Sequence, residues 1–161
     1  NRLIYFHRVN KQITQIFIYQ FTIHYSTFTM ITWQCKYFTD LTNWELYKIL
    51  QLRSEVFVVE QNCVYQDCDD KDLKAYHYMG WQEDNLVAYT RLLDKGISYE
   101  DAASIGRVIT AQSIRKQNVA KQLMRNSIIE VYRLFGKIPI RVSAQLYLKK
   151  LFSRTEKQNK T

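Results

Sequence analysis

The stretch that decides the fold reads Ile105-Gly106-Arg107-Val108-Ile109-Thr110-Ala111-Gln112-Ser113-Ile114-Arg115-Lys116-Gln117-Asn118-Val119-Ala120-Lys121-Gln122-Leu123-Met124. Its first part belongs to an apolar run from Ser104 to Ala111 that predicts a strand. Its last part opens a helix. Ala120, Leu123, Met124, Ser127, Ile128, Val131 and Leu134 recur at three- and four-residue steps on one face, and Gly136 is placed to end it. Arg115, Lys116 and Lys121 bracket the turn between the two. A helix start leaves about four N–H groups without intrahelical partners, and the macrodipole favours negative charge there. A diphosphate therefore suits this turn, although basic residues at a helix start are also often merely solvated.

Strand and helix alternate outward from this unit. Ile31 to Phe38 predicts a first strand, and Thr42 with Glu45 three residues on forms a capping box that starts a helix through about Phe57. Gln61 to Asp72 is an acidic loop without an apolar period. Lys74 to Trp81 and Leu86 to Leu93 predict two antiparallel strands, Ile138 to Ser143 a short interior strand, and Gln145 to Phe152 a final helix. The order is β α β β β α β α, an α/β fold with a mixed sheet.

The chain has 161 residues, enough for one domain with a buried core. Its net charge of +8 would ordinarily raise nucleic acid or a membrane surface as a partner, but residues 1–29 carry +3 and residues 149–161 carry +4, leaving +1 for the middle. A basic groove has little support there, and neither nucleic acid nor membrane is expected as a partner. The apolar run from Ile13 to Tyr25 is interrupted by Thr14, Gln15, Gln20, Thr22 and His24 and does not suit a membrane span. Cys35, Cys63 and Cys68 are an odd number without finger spacing, so reduced thiols, no metal and a cytoplasmic setting are expected. Residues 1–29 lack Asp, Glu, Gly and Pro and are set apart as an atypical lead outside the functional domain; a β-prone interaction arm is the alternative.

Arg115-Lys116-Gln117-Asn118-Val119-Ala120 resembles the pyrophosphate loop of the GNAT superfamily, in which Gln or Arg is followed by two variable residues, Gly, one variable residue and Gly or Ala. Asn118 stands where that pattern has Gly; Asn is the next most tolerant residue of unusual backbone angles. Leu52-Arg53-Ser54-Glu55-Val56-Phe57-Val58-Val59-Glu60-Gln61-Asn62-Cys63 resembles a signature of the ElaA-like branch. Ile105-Gly106-Arg107-Val108, Ala144-Gln145 with Leu148, Tyr65-Gln66-Asp67, Asp72-Leu73 and His77 are in register with the same branch.

The resemblance implies an acyl-CoA N-acyltransferase fold whose fourth and fifth strands splay apart around acetyl-CoA, and an enzyme that moves the acetyl group to an amine of a small molecule or peptide. The main chain of Val108, Ile109 and Thr110 would pair with the pantetheine arm, and Arg115, Lys116, Gln117, Asn118, Val119, Ala120 and Lys121 would hold the diphosphate. Candidate proton acceptors are Glu60, whose acidic surroundings are expected to raise its pKa and which reads equally as a solvated helix-end carboxylate, and, less directly, His77, for which a hydrogen-bonded structural histidine is the favoured reading. Asp67, Asp69, Asp70 and Asp72 could steer a cationic amine or form a solvated loop. Arg53 and Arg107 are expected to pair with carboxylates.

Where the family has Phe-Tyr on its last helix, with the Tyr hydroxyl protonating the thiolate, this chain has Leu151 and Phe152, and a phenyl ring donates no proton. The expectation is therefore a domain over residues 30–152 lacking the last strands of the fold, with a disordered basic tail over 153–161. An open edge on the fifth strand would favour a homodimer. The competing reading is a non-catalytic remnant that binds CoA or a partner.

Overall fold

The structure, a computed structural model, describes residues 30–142. The lead over 1–29, the helix expected over 145–152, Phe152 and the tail lie outside the described residues. The elements are β1 (Thr32–Tyr37), α1 (Asn43–Arg53), β2 (Tyr76–Gln82), β3 (Asn85–Leu93), β4 (Ala103–Thr110), α2 (Val119–Phe135) and β5 (Ile140–Val142). They form one five-stranded sheet in sequential order, antiparallel from β1 to β4 and parallel between β4 and β5.

Helix α1 starts where the capping box predicts. The Thr42 hydroxyl accepts from the Glu45 N–H at 3.2 Å and the Glu45 carboxylate accepts from the Thr42 N–H at 2.8 Å, an arrangement that contributes about 1 kcal/mol. The α-helix stops at Arg53 instead of continuing to Phe57; Ser54–Glu60 follow as a π-helical segment. The wider turn puts the adjacent Val56 and Phe57 into the core together while Val59 stays exposed.

The helices lie on opposite faces of the sheet. Ile49 and Leu52 of α1, with Val56 and Phe57, pack against Met79, Tyr89 and Ile109; Leu123, Met124 and Val131 of α2 pack against Tyr78, Ala88, Leu92 and Ile105. Tyr78 and Met79 are neighbours on β2 whose side chains leave opposite faces, as strand geometry requires. Among the described residues β5 pairs with β4 alone, and Arg141 and Val142 are exposed.

Strand β4 carries the feature that shapes the site. Tyr89 pairs with Ile109 and Arg91 with Gly106, so Thr90 alone faces the two residues Arg107 and Val108. This is a β-bulge, and Arg107 takes a left-handed φ of 53° within it. The extra residue reverses the alternation: Ile105 packs on the α2 face and Ile109 on the α1 face. Strand β5 pairs with β4 only over Ala103–Ile105, so among the described residues the bulged half of β4 has no β5 partner.

Candidate active site

Beyond the bulge, β4 runs through a 3-10 turn, Gln112–Ile114, into the start of α2. Lys116 and Asn118 have left-handed φ values of 67° and 62°, and Asn118 is the N-cap residue of α2. The Asn118 side chain makes no capping hydrogen bond among the described residues. Lys121 and Gln122 already donate their N–H groups to the Asn118 carbonyl at 3.1 Å. The helix begins where it does because Val119, Leu123 and Met124 bury one face under the sheet. The candidate diphosphate residues run without a break from the turn at 115–118 into the first residues of α2, Val119 to Lys121, and Val108, Ile109 and Thr110 are the strand segment leading to that turn.

Glu60, at the end of the π-helical segment, is brought to this turn. Arg115 donates from Nη1 to Glu60 Oε1 at 2.6 Å and from Nη2 to Oε2 at 2.7 Å, and also donates to the Thr110 carbonyl. The acidic loop was expected to raise the Glu60 pKa; instead the Arg115 hydrogen bonds and charge hold its carboxyl below the usual value.

His77 lies elsewhere, fully buried on β2. Its Nε2 faces the Asp72 carbonyl at 3.1 Å and its Nδ1 faces the Tyr89 hydroxyl at 2.9 Å. A carbonyl only accepts, so Nε2 carries the proton and Tyr89 donates to Nδ1. Burial pushes the His77 pKa down, which keeps the ring neutral.

The aspartates of the loop are held by arginines. Arg53, only 1% exposed, donates to Asp67 and Asp72; Arg91 donates to Asp69 and Asp72; Arg107 donates to Asp67 and Asp69. The pairing expected for Arg53 and Arg107 is present, and Asp67, Asp69 and Asp72 each have cationic partners instead of standing as an uncompensated acidic cluster. Burial alone would raise the carboxyls of Asp69 and Asp72. The arginines outweigh it, bringing Asp69 down to about 2 and lowering Asp72. Arg91 and Tyr89 are not among the residues singled out by motif, yet Arg91 carries the same signal as Arg53, one cation beside an apolar run, Thr90-Arg91-Leu92-Leu93. Together the three arginines tie the end of α1, β3 and the β4 bulge to one loop.

No protein-family model matches the chain. The protein ElaA of Escherichia coli strain K12 is 40% identical over 125 residues, which covers 76% of this chain and 81% of ElaA. The chain is an ElaA-like member of the GNAT superfamily. An acyl-CoA N-acyltransferase from Pseudomonas aeruginosa has a similar structure, with a TM-score of 0.72 at 42% identity over 78% of this chain and 87% of that one. The crystal structure of E. coli ElaA gives a TM-score of 0.73 at 38% identity over 78% and 86%. This GNAT chain therefore has the acyltransferase fold, and its mixed sheet flanked by helices is the architecture expected from the sequence. No helix among the described residues is long and apolar enough to cross a membrane.

Proposed function

We propose that the chain is an acetyl-CoA-dependent N-acetyltransferase acting on an amine of a small molecule or peptide, with residues 30–152 as the working unit. The observation that supports this most is Asn118, left-handed at a helix start that its own side chain does not cap, between Arg115, Lys116 and Lys121, in a chain belonging to this superfamily. Here the diphosphate of the donor sits against the N–H groups of the turn and of Val119 and Ala120, with Arg115, Lys116 and Lys121 adding charge-assisted contacts. The main chain of Val108, Ile109 and Thr110, on the part of β4 that has no β5 partner among the described residues, takes the pantetheine arm.

The chemistry is direct transfer. The unprotonated amine nitrogen attacks the thioester carbonyl carbon; the C–N bond forms, the C–S bond breaks, the amine gives up a proton and the CoA thiolate takes one. Every electron moves in pairs between these atoms, so no redox partner is required. Glu60, exposed beside the turn, is assigned the amine proton. His77, of the two candidates, is assigned a positioning role through Asp72 and Tyr89, because neither ring nitrogen faces the Arg115 turn. Incubation with acetyl-CoA and a panel of amines tests the reading. It predicts thiol release that needs both reactants and falls with Arg115→Ala.

A further inference from the structure

Arg115 is where the assigned donor site and the assigned proton acceptor meet. Its two contacts to the Glu60 carboxylate are joined by two to the Thr110 carbonyl, from Nη2 at 3.2 Å and from Nε at 3.4 Å. A guanidinium has five N–H donors in a rigid planar fork. These four hydrogen bonds commit the edge by which Arg115 would grip a phosphate in bidentate fashion. They also occupy the carbonyl of the last β4 residue, one of the groups assigned to the pantetheine arm. One side chain thus covers the anion turn, the strand end and the carboxylate at once.

We propose that Glu60 and the diphosphate of acyl-CoA compete for Arg115, so that the ion pair is a latch opened by the donor, which releases the carboxylate to serve as proton acceptor. This rests on the acyl-CoA reading above. The latch is accessible to water: the two side chains are 33% and 42% exposed, so solvent can take up either group as the pair parts. A diphosphate brings more charge than one carboxylate and meets Lys116, Lys121 and the helix start as well as Arg115. Once Arg115 turns to phosphate, Glu60 loses the donor that stabilises its ionised form and gains an anionic neighbour. Both changes raise its proton affinity, and they occur only when the acyl donor is in place.

Calorimetric titration of the whole chain with CoA, and with pantetheine, which lacks the diphosphate, tests the latch in the parent, Glu60→Gln, Arg115→Ala and the double variant. Removing the competing carboxylate tightens CoA about two- to fivefold, the scale of an exposed ion pair. Pantetheine gains less than CoA, and the CoA gain disappears when Glu60→Gln is made on the Arg115→Ala background. CoA binding in the parent that is unchanged or weakened by Glu60→Gln overturns the latch alone. A gain that persists without Arg115 also overturns it, since removal of a negative charge would then explain the effect. Absence of CoA binding in the parent overturns the acyl-CoA reading and the latch with it.

Discussion

Ile105 and Ile109 sit four residues apart on one strand, yet their side chains enter cores on opposite faces of the sheet. An uninterrupted strand would place both on the same face. The reversal comes from the extra residue at Arg107–Val108, and Arg107 is held in its left-handed conformation by ion pairs to Asp67 and Asp69. The acidic loop, Arg107 and the exit angle of β4 are one mechanical unit, which delivers the chain to the Arg115 turn.

Replacing Arg107 separates its two contributions. Arg107→Ala removes the ion pairs and keeps the cost of a left-handed residue; Arg107→Gly removes both the pairs and that cost. Urea unfolding is expected to find Arg107→Gly more stable than Arg107→Ala by about 1 kcal/mol, the penalty of left-handed backbone for a residue with a Cβ. Equal stabilities would mean that the bulge does not depend on that conformation.

Arg53 is buried with its aspartate partners, so its loss leaves carboxylates without a cation in a poorly hydrated site. Arg53→Ala is expected to destabilise the fold by about 3–5 kcal/mol, the range for breaking one side of a buried pair. Thermal unfolding measures it, and a loss below about 1 kcal/mol would show that water replaces the guanidinium.

Acid sensitivity follows from the same cluster. The His77 pKa is lowered on folding from an ordinary 6.5, so the unfolded chain binds a proton that the folded one does not, and stability falls as pH drops below about 6.5. Asp69 and Asp72, lowered from 3.8, contribute stability above that value and lose it as pH falls further, with Asp69 holding out to about 2. Denaturant midpoints measured from pH 8 to about pH 2 should show two successive declines. His77→Gln should abolish the upper one, and its survival would place the titrating group elsewhere.

Much of this architecture is legible in the sequence because local signals agree with the packing. The Thr42–Glu45 box, the apolar face of α2 and the stop at Gly136 are each set by neighbouring residues, and each appears where expected. Asn118 is legible for the same reason, since only a residue tolerant of left-handed φ suits a turn that otherwise takes Gly. What escaped reading depends on partners distant in the chain. The Glu60–Arg115 pair spans 55 residues and reverses the expected direction of the Glu60 pKa. The π-helical continuation of α1 follows from the joint burial of Val56 and Phe57, which no local propensity records.

The Asn118 turn gives a prediction on the cofactor side. Asn118→Gly should leave CoA binding intact or slightly stronger, whereas Asn118→Val, β-branched at φ 62°, should cost about 1–2 kcal/mol of stability and weaken CoA. Titration of both variants checks it; equal CoA affinity in the two would separate this turn from the diphosphate.

Acyl-CoA, in the function proposed above, is held at the Arg115 turn and the start of α2 for transfer to an amine. The most direct test of this is the rate of thiol release from acetyl-CoA across an amine panel, with the acylated product identified by mass and Arg115→Ala run in parallel. The expected result is amine-dependent release, a matching N-acetylated product and a fall of about tenfold or more in Arg115→Ala, the scale of one charge-assisted contact. Thiol release and product formation unchanged by Arg115→Ala would contradict it.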